Sequence, residues 1–144
     1  MDYSNALELH DVNQFLPFGA AGKAKKILHN VSFKIPKHSV TGFVGVNGAG
    51  KTTSIKTILG FLTLKEGKIS YFDQPGISNA AKARMGFLPE RPYFYEFLTG
   101  REFLKLHWDL SGEKNAHAFE TRLQEVLLAV DLERGRDLRL RQYS

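Results

Sequence analysis

The chain has 144 residues, of which 42% are hydrophobic and 24% charged, enough apolar material for one core and too much for a disordered segment. Its net charge of +5 permits an anionic partner without selecting one, and the absence of cysteine excludes disulfides and thiolate metal sites. The opening MDYSNALELH lacks a basic stretch followed by an apolar core, so a secretory leader is not expected. Apolar runs such as VLLAV fall far short of the ~20 residues that span a bilayer, so a cytosolic chain is expected, reaching a membrane only through a partner.

In chain order, LELHDV (7–12) and VSFKI (31–35) alternate apolar and polar residues as half-buried strands do. LPFGAAGKAKK between them, rich in Gly and Lys, reads as a loop. After Pro36, SVTGFVGV (39–46) reads as a buried strand. The period changes at Lys51, where Ile55, Ile58, Leu59 and Leu62 mark one face of a helix. GKISYFDQPG predicts a strand and turn, SNAAKAR a helix, and MGFLPE a short strand stopped at Pro89. Thr99 and Glu102 have the spacing of a capping box. A helix should therefore start near Gly100, carry Phe103, Leu104, Leu106, Trp108 and Leu110, and stop at Ser111–Gly112. A second helix is predicted from Phe119, Leu123, Val126, Leu127 and Val130. The plan is a mixed sheet region, residues 1–90, followed by a helical region, residues 91–144.

The stretch GVNGAGKTT meets the pattern G-x-x-x-x-G-K-[ST] through Gly45, Gly50, Lys51 and Thr52. Gly45, Gly48 and Gly50 let the backbone curl with its N–H groups inward, where side chains would block phosphate oxygens. The helix that follows turns unpaired N–H groups and a partial positive charge toward the same anion. Lys51 can reach the outer phosphates, the Thr52 hydroxyl suits Mg²⁺, and Thr53 is placed for the inner phosphates. An apolar stretch before the loop and a helical one after it favour a polyphosphate cradle over an accidental glycine turn.

The loop alone does not separate a transporter ATPase, a GTPase and a small-molecule kinase. No N-K-x-D motif is present, which weakens the GTPase reading. LLAVD (127–131) offers four apolar residues followed by Asp131, the form of a strand that places a Mg²⁺-binding carboxylate. That would make the chain a self-contained kinase. The helical spacing from Phe119 to Val130 runs into this segment without a breaker and argues the other way.

Taken with the loop, ALELHDV, ILHNVSFKIP, GKISYFDQP and MGFLPERPYFYEFLTGREFL resemble successive parts of the nucleotide-binding subunit of an ABC transporter. LRQYS resembles the approach to that family's signature in its Tyr-Ser form, represented here by Tyr143 and Ser144. The Tyr-Ser form and LPE look most like bacterial exporters. The resemblance implies an α/β fold: a P-loop NTPase, RecA-like core with N-terminal antiparallel strands and a helical subdomain, incomplete in this chain. It implies MgATP bound by Gly45, Val46, Asn47, Gly48, Ala49, Gly50, Lys51, Thr52 and Thr53, with Thr52 on Mg²⁺. It also implies an aromatic residue stacked on adenine, for which Phe18 is the first choice and Phe15 the second. Glu90 stands where the family commonly has a glutamine near Mg²⁺ and the attacking water. A carboxylate there supplies an anionic oxygen to the metal, though ordinary loop solvation is a competing account.

The implied function is ATP-driven export through partner membrane domains, with a transmembrane permease subunit and a second nucleotide-binding subunit, paired head to tail, as partners. The aromatic run YFYEF either contacts that permease or packs internally. The signature's remainder, the Mg²⁺-binding Asp, the catalytic Glu and the switch His have no match in the 144 residues. These residues are therefore expected to bind nucleotide without hydrolysing it, and to associate through exposed sheet edges. A soluble ABC-type ATPase acting on nucleic acid or ribosomes is a third reading. His10, His29, His38, His107 and His117 show no metal-ligand spacing, and Trp108 reads as a packing residue. Arg134, Arg136, Arg139 and Arg141 read as a solvated segment in preference to a nucleic-acid contact, since no aromatic residues interleave them.

Overall fold

The computed structural model describes residues 4–18 and 23–143, and the chain divides into two compact units, Met1–Phe87 and Leu88–Ser144. In the first, β1 (Asn5–Phe18), β2 (Lys23–Pro36), β3 (Glu66–Tyr71) and β4 (Gln74–Pro75) form an antiparallel sheet in the order β2-β1-β3-β4. Leu7 and Leu9 alternate inward on β1, as the sequence predicts. Register shifts near Asp11 and Asn30, both at positive φ, then bring Val12, Asn13 and Gln14 consecutively into the interior. The Asn13 amide stabilises the irregularity, accepting from the Asn30 N–H at 2.8 Å and donating to the Asp11 carbonyl at 3.2 Å.

Strand pairing continues to Phe18 and Lys23, so the expected loop over 16–26 is mostly strand. Residues 19–22 lie outside the described set. Phe72 and Asp73, both at positive φ, make the two-residue turn joining β3 to β4. Leu7, Leu9, Val12, Leu28, Ile69, Tyr71 and Ala81 form the core, with Ile58, Leu64 and Ile77 packed against it.

Two expected strands do not form. Residues 39–46 form no strand, with Val40, Val44 and Val46 exposed and Phe43 resting on the Phe33 ring at 5.6 Å between centroids. Residues 85–90 likewise have no ladder partner. Apolar content made both look like strands. A buried strand also requires neighbours, and β1 to β4 pair only with one another.

Helix α1 (Lys51–Ile58) is shorter than its periodicity suggests. Gly60, at φ +74°, ends it with paired bonds from Gly60 N–H to the Thr57 carbonyl and from Phe61 N–H to the Lys56 carbonyl. Its inward face is Ser54 and Thr57 together with Ile58, while Ile55 is exposed. Helix α2 (Asn79–Lys82) is capped by the Ser78 hydroxyl.

In the second unit, α3 (Gly100–Leu110) begins with the complete Thr99–Glu102 capping box. Helix α4 (Ala116–Ala129) buries Phe119, Leu123 and Leu127 against Leu104 and Trp108 of α3. Arg101 pairs with Glu120, and both Arg101 and Lys105 lie over the Phe119 ring. After α4, short 3₁₀ turns at Glu133–Gly135 and Leu140–Gln142 bring the chain back to the start of α3. There Leu140 N–H donates to the Leu98 carbonyl at 2.8 Å. Tyr143 lies over Gly100, where an added Cβ would come within 2.3 Å of its hydroxyl. That hydroxyl donates to the Gly135 carbonyl at 2.6 Å, and burial raises its pKa.

Candidate nucleotide-binding site

Residues 45–50 turn tightly into α1, with Ala49 N–H donating to the Val46 carbonyl at 3.2 Å. Gly48 at φ +85° and Gly50 at φ +92° occupy backbone that side chains disfavour. Gly50 is also pressed against the sheet, since a Cβ there would lie 2.7 Å from the Leu28 Cδ2. Leu28 is the floor of the loop, a role its sequence position does not reveal. The loop is thus seated on the core by a glycine that nothing larger replaces without displacement.

No side chain caps the N-terminus of α1. Its first-turn N–H groups therefore remain available to an anion. The Lys51 Nζ donates to the Gly45 and Val46 carbonyls at 2.6 and 2.9 Å, which folds the ammonium back over the loop. Thr52 is exposed on the first turn and Thr53 is half-buried. Farther along, the Thr57 hydroxyl donates to the Thr53 carbonyl at 2.8 Å. At the C-terminus of α1, the Tyr71 hydroxyl donates to the Ile58 carbonyl at 2.5 Å, and burial pushes its pKa up to about 12. The helix is therefore held at its glycine end by Leu28 and at its far end by Tyr71.

The fit to a magnesium nucleotide follows from the donor set. Among the described residues no group of three or more His, Cys, Asp or Glu is placed to hold a metal. A single hydroxyl beside an anion-binding loop suits Mg²⁺ that takes its other ligands from phosphate and water.

The remaining sequence candidates fall in both units. Phe18 is 64% exposed at the end of β1, with the Lys25 Nζ 5.4 Å from its ring centroid. Phe15 is half-buried, with the Lys26 Nζ 5.7 Å from its ring. Glu90 is exposed in the second unit. Asp131 follows α4 at φ +56°, so 127–131 is the end of a helix and not a strand, and the kinase reading loses its metal carboxylate. Tyr93, Phe94, Tyr95 and Phe97 are all partly exposed, the Tyr95 ring meeting those of Tyr93 and Phe97, while the Phe94 ring packs on Phe103 at 5.4 Å between centroids. Tyr93, Phe94, Phe103, Leu127, Leu140 and Tyr143 help line a cavity of about 610 Å³ within the second unit. The His10 Nδ1 lies 3.2 Å from Asp11, and both side chains are solvent-exposed.

A G-x-x-x-x-G-K-[ST] loop resting on the sheet and opening an uncapped helix has the local form of a phosphate-binding loop, although residues 39–46 before it form no paired strand. Residues 28–144 match the family model described as ABC transporter, and the chain belongs to that family as an ATP-binding protein. It is 31% identical over 98% of its length to an uncharacterized ABC transporter ATP-binding protein of Synechocystis, and spans 40% of that relative. It is 33% identical over 76% of its length to the bacitracin transport ATP-binding protein of Bacillus licheniformis, spanning 35% of it. A solved ATP-binding subunit of an ABC transporter superimposes with a TM-score of 0.75 at 28% identity, over 96% of this chain and 56% of that one.

Proposed function

We propose that this chain supplies the ATP-binding part of an ABC-type exporter, holding MgATP through Gly45–Thr53. The observation that carries this reading is the loop itself: left-handed glycines, an uncapped helix start, and an ammonium already lodged over the loop carbonyls. Lys51 exchanges carbonyl partners for phosphate oxygens, the α1 N–H groups receive the inner phosphates with Thr53, and Thr52 meets Mg²⁺. Phe18 stacks on the base, and Glu90 serves as a metal contact and sensor of the bound nucleotide. Residues 1–90 act as the core's N-terminal part and 91–144 as the helical subdomain.

Among the described residues no helix is long and apolar enough to cross a membrane. We assign coupling to transport to a permease subunit on the inner face of the membrane, with the exposed Tyr93, Phe94, Tyr95 and Phe97 as its contact. A second nucleotide-binding subunit pairs head to tail with the first. The relative named for bacitracin transport supports a transport role, and the Tyr-Ser and LPE features support export. Within these 144 residues binding proceeds without hydrolysis, because positioned water activation has no matching residue.

Calorimetric titration with MgATP, with phosphate release followed in the same samples, tests the reading. Lys51→Ala should lose about 10- to 100-fold in affinity, the worth of a charge-assisted contact, with no phosphate released by either protein. Equal affinity in the two proteins would remove the loop from the site, and steady phosphate release would contradict the binding-only role.

A further inference from the structure

The two aromatic residues at the end of the β1–β2 hairpin are each faced by a lysine from the opposite strand: Lys25 over Phe18 and Lys26 over Phe15. Phe18 pairs in register with Lys23 and Leu16 with Lys25, so Lys25 reaches Phe18 diagonally across the ladder on the same face. One face of the Phe18 ring thus carries an ammonium while the side chain remains 64% exposed. We propose that Lys25 is a positioning residue for base recognition, fixing the Phe18 ring and drawing its π density toward the cation so that the opposite face stacks better on an electron-rich purine. The inference rests on Phe18 as the base platform proposed above. Phe15 is half-buried and leaves less ring available, so the Phe18–Lys25 pair is the functional one.

The test compares calorimetric affinities for MgATP and for magnesium inorganic triphosphate, which occupies the phosphate loop but has no base. The proteins are the wild type, Phe18→Ala, Lys25→Met, Lys25→Arg and the pair Phe15→Ala and Lys26→Met. Lys25→Met keeps the aliphatic stem and removes the charge. It should weaken ATP by about two- to fivefold, the scale of an exposed cation–π contact, and leave triphosphate unchanged. Lys25→Arg should restore ATP binding, which a general loss of folding would not allow.

Equal weakening of ATP and triphosphate in Lys25→Met would show a long-range charge effect and overturn the proposal. Unchanged ATP affinity in Lys25→Met with a loss in Phe18→Ala would overturn the role of Lys25 and leave the base platform standing. An ATP-specific loss confined to Phe15→Ala and Lys26→Met, or no loss in Phe18→Ala, would overturn both.

Discussion

Gly50 and Gly67 both sit at strongly positive φ, +92° and +90°, but what surrounds them differs in kind. At Gly50 a Cβ meets the end of the buried Leu28 side chain at 2.7 Å, a side-chain methyl rather than backbone. At Gly67 it meets the Asp11 and His10 carbonyl oxygens, the nearer at 2.5 Å, and backbone in a paired strand cannot yield. Gly67→Ala should therefore destabilise the first unit more, by about 3 kcal/mol against about 1–2 for Gly50→Ala. Denaturant midpoints would check the order. Gly50→Ala should additionally lose MgATP affinity, because displacing Leu28 moves the floor of the loop. Asp73 bears on acid stability. Its carboxylate accepts from the Ser4 N–H at 2.7 Å, which is the main cause of its lowered pKa, and from the Asn5 N–H at 3.2 Å. A depressed folded-state pKa contributes stability that is present above the ordinary value of 3.8 and lost as pH falls below it. Asp73→Asn should flatten the fall in denaturant midpoint as pH drops below about 4, and an unchanged acid limb would contradict the assignment.

Elements whose signals are local were readable in advance. The Thr99–Glu102 box, the Phe119–Leu123–Leu127 spacing and the alternation of 31–35 each depend on neighbours within a few residues, and each formed, whereas the alternation from Leu7 holds only to His10 before the register shift at Asp11. Residues 39–46 and 85–90 carry the apolar content of strands, but a strand exists only if another chain segment pairs with it, and no local pattern states that. The same limit hid Leu28 beneath Gly50 and Lys25 over Phe18, since the first depends on how the loop seats on β2 and the second on cross-strand register. Helix α3 offers a clean check on a local signal. Thr99→Ala removes the acceptor of the Glu102 N–H and should cost about 1 kcal/mol, read as a lowered midpoint for the second unit. Thr99→Ser, which keeps the hydroxyl, should recover most of it.

Among the described residues, the stretch 39–46 forms no strand pairing and is exposed along its length. It has no charged residue, and Val40, Val44 and Val46 turn three apolar side chains to solvent. Sedimentation velocity should show association that grows with protein concentration, accompanied by binding of an apolar dye. Val40→Lys with Val44→Lys should suppress both, because charge repels a second copy along an exposed edge. A monomer at every concentration with no dye signal would contradict this.

The seating of Tyr143 over Gly100 has a consequence for how the second unit comes apart. Together with the backbone bonds from Leu140 to Leu98 and from Arg101 to Arg136, the contact joins the start of α3 to residues 136–143, so both helices lie inside one closed loop. Opening that closure releases chain entropy from most of the unit at once, so the unit should lose its structure in a single step rather than fray from either end. Amide exchange at the beginning of α3 and along α4 would then share one opening rate.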